Sequence, residues 1–327
     1  MIVAKAPLRV SFFGGGSDIP EFYNKYSGMV ISTSINKYIN LAINRCETDH
    51  IRVIYSDLEV ARNVSEIKHD RVREILKVFN IDSNFELCSF SDVSTKGTGL
   101  GSSSTFTVGL AAAVSRLCKI NLDRKSLAEL ACTIEIEKCK QPIGKQDQYA
   151  ATYGGLNVIR FDKDYVEVTP FNDYGSSLAA YELEERLLCF GTKITRSTSD
   201  ILEKQVDKLK NGDIIGQTQE LVSVADHALI LLRHGRVDSF GALLDYTWML
   251  KKKLAPGISN HQIDEMYEIG INAGALGGKL LGAGGGGYML FYVPEKDKFN
   301  VVNAMTKANY PLFDFNFDIL GTKVIEI

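Results

Sequence analysis

Lys96-Gly97-Thr98-Gly99-Leu100-Gly101-Ser102-Ser103-Ser104-Thr105 is the stretch from which the rest of the chain can be read. Three glycines stand at alternate positions, and three serines and a threonine follow. Upstream, Phe85-Glu86-Leu87-Cys88-Ser89-Phe90 alternates large apolar residues with polar or small ones, the period of a half-buried strand. Downstream, Phe106 to Cys118 is apolar and rich in alanine, which predicts a buried helix. The glycines therefore occupy a strand-to-helix loop. Such a loop presents unpaired backbone N–H groups and the positive end of a helix dipole, and glycine lets a bulky anion come close. Phosphate is the natural guest.

Two familiar phosphate loops are excluded. The P-loop ends in Gly-Lys-Ser/Thr, which is absent here. The dinucleotide fingerprint needs its third glycine three residues after the second, whereas Gly97, Gly99 and Gly101 are evenly spaced. The spacing thus argues against a nicotinamide-dependent oxidoreductase.

At 327 residues the chain is long enough for two domains. With 45% hydrophobic and 24% charged residues it reads as an ordinary globular protein. A net charge of −3 gives no support for nucleic-acid binding or electrostatic attachment to a membrane, and no apolar run approaches spanning length. Six cysteines without a Cys-x-x-Cys pair predict reduced thiols in a cytoplasmic protein. Met1 to Pro7 lacks the layout of a signal peptide.

Along the chain, Ile2 to Val10 predicts a strand interrupted at Pro7, opening into Gly14-Gly15-Gly16-Ser17-Asp18 with Arg9 and Asp18 flanking the opening. Met29 to Ile43 and Ile51 to Tyr55 predict strands, and Asp70 to Phe79 a helix. Asp123 caps a helix to about Cys139 that carries Glu135 and Glu137; two apart, they cannot both face one site, so one is expected to be exposed. A strand follows at Leu156 to Phe161. A domain boundary near 175–190 divides the chain into 1–180 and 181–327. Beyond it come a short strand at 187–190, a polar loop Gly191 to Ser197, and helices near 199–210, 215–234, 238–253 and 259–273, the last capped by Ser259. Lys251-Lys252-Lys253 reads as a solvated helix end complementing the dipole. Seven glycines among Gly277 to Gly287 form a second backbone-rich loop, before a strand at 288–293 and a final one near 316–326.

Taken together, Ala6-Pro7-Leu8-Arg9-Val10-Ser11-Phe12-Phe13-Gly14-Gly15-Gly16-Ser17-Asp18, Gly99-Leu100-Gly101-Ser102-Ser103-Ser104 and Lys279-Leu280-Leu281-Gly282-Ala283-Gly284-Gly285-Gly286-Gly287 resemble the three motifs of the GHMP kinases, small-molecule kinases, in the right order. The Gly-Gly-Gly-Ser-Asp form of the first motif resembles the bacterial branch that acts on heptose 7-phosphate and fucose-like sugars. The resemblance implies an α+β fold of two domains, a ribosomal-protein-S5-type N-terminal domain and a ferredoxin-like C-terminal domain. It implies ATP held by Lys96, Gly97, Thr98, Gly99, Leu100, Gly101, Ser102, Ser103 and Ser104. It implies Mg²⁺ on Ser103 and Glu135, with Glu137 as the alternative, and Asp147 as the catalytic group. Substrate contacts are expected from Arg9, Gly15, Gly16, Asp18, Lys193, Arg196, Gly284 and Gly285, with Arg9, Lys193 and Arg196 clamping an acceptor's phosphate. Lys5, Lys96, Lys145 and Lys279 are the candidates for neutralising the migrating charge. The expected acceptor is a sugar phosphate, specifically the anomeric hydroxyl of a heptose 7-phosphate; a neutral sugar, or a silent sugar- and ATP-binding sensor, are the alternatives. A monomer or a homodimer fits either.

Overall fold

The computed structural model describes residues 1–94, 97–174, 177–195 and 199–327. Its larger sheet has eight strands. They are β1 (Ile2–Phe13), β2 (Gly28–Arg45), β3 (Ile51–Ile54), β4 (Leu58–Ala61), β5 (Phe85–Ser91), β6 (Leu156–Phe161), β7 (Val166–Pro170) and, from the far end of the chain, a last strand Lys323–Glu326. β2 organises this sheet. It runs antiparallel to β1 along most of its length; its first part also pairs with β6 (Gly28 opposite Phe161) and its last part with β5 (Arg45 opposite Phe85). β3 and β5 run parallel, and the other pairings are antiparallel. Pro7 does not end β1. The register shifts between Pro7 and Leu8, so the residue that cannot donate to a ladder sits at an irregularity.

A smaller antiparallel sheet contains β8 (Leu187–Gly191), β9 (Gly277–Leu280) and β10 (Tyr288–Tyr292), in the order β8-β10-β9. The final strand is therefore β11, and it leaves this half of the chain to pair with the free edge of β1, Ile2 opposite Glu326. Two expectations are corrected here. The final strand is only four residues long, and Gly277-Gly278-Lys279-Leu280 is strand, not loop. Glycine at 277 and 278 admits helix and strand backbone at van der Waals distance: a Cβ on Gly277 would lie 2.2 Å from the Gly241 carbonyl.

The helices are α1 (Pro20–Tyr23), α2 (Asp70–Val78), α3 (Ser102–Leu117), α4 (Arg124–Cys132), α5 (Gln146–Tyr153), α6 (Ser177–Glu185), α7 (Ser199–Asn211), α8 (Ile215–Arg233), α9 (Val237–Lys251), α10 (His261–Asn272) and α11 (Lys298–Lys307). α3 begins four residues earlier than apolar content alone predicts, because the serines form its first turn. α4 passes into a π-helical turn, Thr133–Lys138, a form that often marks functional sites. α10 is capped by Asn260, whose Oδ1 accepts from the Ile263 N–H; Ser259 instead bonds Asp264. The larger sheet meets α9 through aromatic packing: Phe12 and Phe13 of β1 contact Phe240 of that helix with centroids 5.6 and 4.7 Å apart. No helix among the described residues is long and apolar enough to cross a membrane.

Candidate active site

The glycine loop is held between two pieces of backbone. The Arg9 N–H donates to the Leu100 carbonyl, and Gly101, in the left-handed region at φ 77°, starts α3. Gly99 lies against the third glycine motif: a Cβ there would sit 2.4 Å from the Leu281 carbonyl oxygen, and one on Gly282 would sit 2.3 Å from Gly99 Cα. Two loops nearly 200 residues apart thus touch backbone to backbone, which accounts for glycine at both places.

Beside them lies a cavity of about 260 Å³. Arg9, Gly15, Gly16, Asp18, Gly97, Thr98, Gly99, Gly101, Ser102, Ser103, Ser104, Gln146, Asp147, Lys251 and Lys279 are among its lining residues. The structure thus gathers most of the site residues expected from the sequence. Asp147 stands in the first turn of α5, and Arg9 grips it with two parallel hydrogen bonds, Nε to Oδ1 at 2.6 Å and Nη2 to Oδ2 at 2.7 Å. Arg9 Nη1 donates to the Gly99 carbonyl at 2.6 Å. Three Arg9 donors are therefore spent on the catalytic candidate and its loop, so Arg9 positions and charge-balances Asp147 instead of standing free as a phosphate clamp.

Asp18 is buried and fastens the first glycine loop to α5. Its carboxylate accepts from the backbone N–H groups of Gly16 and Gln146 and from the Gln146 side chain, at 3.0 to 3.1 Å. Burial raises its pKa and the neighbouring charge of Asp147 adds to the rise, while the backbone donors oppose it. A carboxylate has about four acceptor sites, so one is left for a ligand hydroxyl.

Glu135 is fully buried and Glu137 is exposed, as their spacing requires. Arg71 Nε donates to Glu135 Oε1 at 2.8 Å, and Gln148 Nε2 donates to Oε2 at 2.6 Å. The same Gln148 amide reaches Ser104 Oγ at 3.2 Å, so Ser104 shares the buried network with Glu135, while the Ser103 side chain is exposed at the cavity wall. Among the described residues no group of three or more His, Cys, Asp or Glu is placed to hold a metal. One buried carboxylate with serine hydroxyls beside it is a donor set for a hard cation that brings further oxygens with its ligand. Arg71 and Gln148, on separate elements, carry no local sequence pattern and were not expected.

The lysines sort differently from the sequence reading. Lys5 lies over the Tyr38 ring at 3.7 Å and Lys145 over Tyr23 at 4.7 Å. Lys279 is buried on β9, its Nζ donating to the Phe12 carbonyl at 2.7 Å. Lys251 corrects the solvated-helix-end reading: it is half-buried, and its Nζ donates to the carbonyls of Leu280 and Gly282 at 2.7 and 2.5 Å. Burial, with Arg9 nearby, brings its pKa down to about 7. Lys252 and Lys253 keep to the surface.

Lys193 is exposed, in the left-handed region at φ 60°, and does not line the cavity; Lys96 and Arg196 lie outside the described residues. In the third motif Gly282 and Ala283 line the cavity, not Gly284 and Gly285 as expected. Those two turn onto Ile258, whose carbonyl accepts the Gly285 N–H at 2.9 Å.

A second cavity, about 600 Å³, lies across the first turn of α3. It shares Arg71, Ser102 and Ser103 with the first, and its walls include Tyr55, His69, Phe90 and Phe106. The rings of Tyr55 and His69 meet edge to face at 5.0 Å, and those of His69 and Phe106 are tilted at 4.9 Å. Burial, then Arg71, lowers the His69 pKa, which keeps the imidazole neutral at pH 7.

Comparison with known proteins agrees with this geometry. The family model for the GHMP kinases N terminal domain matches residues 55–155, and that for GHMP kinases C terminal matches 228–312. The chain is 31% identical to a D-glycero-alpha-D-manno-heptose 7-phosphate kinase of Campylobacter jejuni, over 98% of both proteins. It is 26% identical to a mevalonate kinase of Methanocaldococcus jannaschii, over 96% of this chain and 98% of that one. A crystal structure of a D-glycero-D-manno-heptose 1-phosphate kinase from Bacteroides thetaiotaomicron superimposes with a TM-score of 0.82 at 25% identity, covering 100% of this chain and 99% of that one. With both family models matched in order and a relative similar from end to end, the chain belongs to the GHMP kinases, enzymes that move a phosphoryl group from ATP to a small molecule.

Proposed function

We propose that this kinase phosphorylates the anomeric hydroxyl of a sugar phosphate, D-glycero-D-manno-heptose 7-phosphate, to the 1,7-bisphosphate, using ATP with Mg²⁺. The observation that carries the reading is the pair of cavities joined across Ser102 and Ser103. The aromatic slot of Tyr55, His69 and Phe106 suits a flat, neutral heterocycle such as adenine. The triphosphate would then run over the first turn of α3, where backbone N–H groups and the helix dipole favour it. Its end would reach the cavity in which Asp147 stands.

That cavity suits a polyhydroxylated guest. Ser11 Oγ and Gln146 Oε1 line it, are buried, and have no protein hydrogen-bond partner. Buried polar atoms are normally paired, so two such orphans beside Asp18 and Asp147 support a ligand rich in hydroxyls. The relatives named as heptose phosphate kinases support the sugar itself.

Asp147 would accept the proton of the attacking hydroxyl, its orientation fixed by Arg9 so that its outward lone pairs face the acceptor. Phosphoryl transfer asks for alignment and charge neutralisation more than for covalent help. Glu135 with Ser104 and Ser103 would hold Mg²⁺, which neutralises phosphate charge when bound. Arg71 holds Glu135 in place. Asp18 would hold the acceptor's face of α5 and offer its remaining lone pair to a sugar hydroxyl. Monomer and homodimer both fit the site, which is lined by one chain.

ADP release with Mg-ATP against heptose 7-phosphate, mannose 6-phosphate, free heptose, fucose and galactose tests the reading, with Asp147→Asn alongside. Turnover of the heptose phosphate, lost in the variant, is expected. Turnover of neutral sugars alone would overturn the acceptor, and ATP binding without turnover of any sugar would make the protein a sensor.

A further inference from the structure

The acceptor cavity has an inner wall that neither the nucleotide nor Asp147 accounts for. Thr247 and Lys251 stand four residues apart on α9, hence on one face of the helix, and Lys279 projects from β9 beside them; all three line the cavity. We propose that Thr247, Lys251 and Lys279 form the seat for the acceptor's own phosphate and so set the preference for a phosphorylated over an unphosphorylated sugar. This rests on the sugar-phosphate reading given above.

Three observations support it. The first is charge. Neither lysine has an ion-pair partner among the described residues, and the nearby Asp147 is bonded by Arg9. Amines enclosed in protein without a countercharge are costly, and a phosphate dianion supplies what the chain does not. The second is spare capacity. Lys251 commits two donors, to Leu280 and Gly282, and Lys279 one, to Phe12. An ammonium has three donors, so three of the six remain. The third is Thr247, only 2% exposed, whose hydroxyl has no partner and faces this cavity. Clasping strand-end carbonyls explains the bonds the lysines make. It explains neither the orphan hydroxyl beside them nor the use of charged amines where neutral donors would serve. Of the residues expected to clamp the phosphate, Arg9 is spent on Asp147 and Lys193 does not line the cavity, while Arg196 lies outside the described residues.

The test is steady-state kinetics of the full chain with heptose 7-phosphate and with free heptose at saturating Mg-ATP, in the parent, Lys251→Met and Thr247→Val. The expected result is a KM for the phosphorylated sugar raised about 10- to 100-fold in Lys251→Met and about 3- to 10-fold in Thr247→Val, the range for losing charged and neutral hydrogen bonds. KM for free heptose stays within about twofold, because a damaged fold would move both sugars together. Should Lys251→Met fail to fold, Thr247→Val and inhibition by inorganic phosphate carry the test. Phosphate competes with the sugar phosphate in the parent and loses potency in the variant. Equal changes for both sugars, or none, overturn the seat. A parent enzyme that ignores the phosphorylated sugar overturns the function proposed above and the seat with it, which is a different result from a parent that prefers it and variants that still do.

Discussion

Arg9 and Asp147 meet as a fork on a carboxylate, with bonds of 2.6 and 2.7 Å, and the Arg9 side chain is 6% exposed against 21% for Asp147. Asp147 is thus the member open to the cavity, and Arg9 is the one that cannot be left alone. Asp147→Asn should lower kcat about 10²- to 10⁴-fold, the usual worth of a positioned base, with ATP binding retained. Arg9→Met should lower kcat too and also destabilise the fold by roughly 2–3 kcal/mol, since a buried bidentate pair and the bond to Gly99 are lost together. Denaturant unfolding beside turnover separates the two; an Arg9→Met protein of unchanged stability would contradict the packing described.

Glu135→Gln removes the charge that Arg71 balances. Arg71 would then stay buried beside a neutral amide. The role proposed for Glu135 predicts a Mg²⁺ requirement raised at least tenfold in the ADP-release assay. Glu137→Gln, on the exposed side, should change neither quantity.

Gly282→Ala tests the contact between loops. Its Cβ would fall 2.3 Å from Gly99 Cα, and φ of 68° is itself unfavourable for alanine. The variant should lose ATP affinity and about 2–4 kcal/mol of stability. Calorimetry with and without ATP reads both, and wild-type values would dismiss the close approach.

The pH dependence of acceptor binding follows from Lys251. The groups facing it are Arg9 and Lys279, both basic, and burial with Arg9 holds its pKa near 7, below the ordinary 10.5. Below about pH 7 the amine is charged in the free enzyme; above it, binding an anion requires proton uptake. KM for the phosphorylated sugar should therefore rise from pH 7 to 9, by up to about tenfold per unit, while KM for free heptose stays flat. Between about 7 and 10.5 the unfolded chain binds this proton and the folded chain does not, so this group's contribution to stability increases with pH across that window.

The three glycine motifs were legible because each needs a fixed residue type at a fixed spacing, and backbone contact forces glycine whatever surrounds it. Glu135 and Asp147 were singled out by the family resemblance alone, which implies two carboxylates at that separation along the chain; no local pattern names them. Lys251 was not legible. A lysine triplet at a helix end reads as solvated, and nothing local says that Leu280 and Gly282 present carbonyls to its last turn. Arg71 and Gln148 come from α2 and α5, and only the tertiary fold brings both to Glu135. The choice between Ser103 and Ser104 turns on one step of helical rotation, about 100°, which no residue pattern specifies. Gly277 and Gly278 were read with the loop because glycine content hides a strand whose tight packing against α9 and β10 demands it.

Among the described residues the two cavities have only Arg71, Ser102 and Ser103 in common. Substrates lodged on opposite sides of one helical turn need not queue for a shared doorway. Either can be the first to arrive, and either product the first to go. Initial-rate lines should then intersect, dead-end inhibitors of one side should be competitive only with their own substrate, and a single molecule meant to fill both sides would have to bend over the first turn of α3.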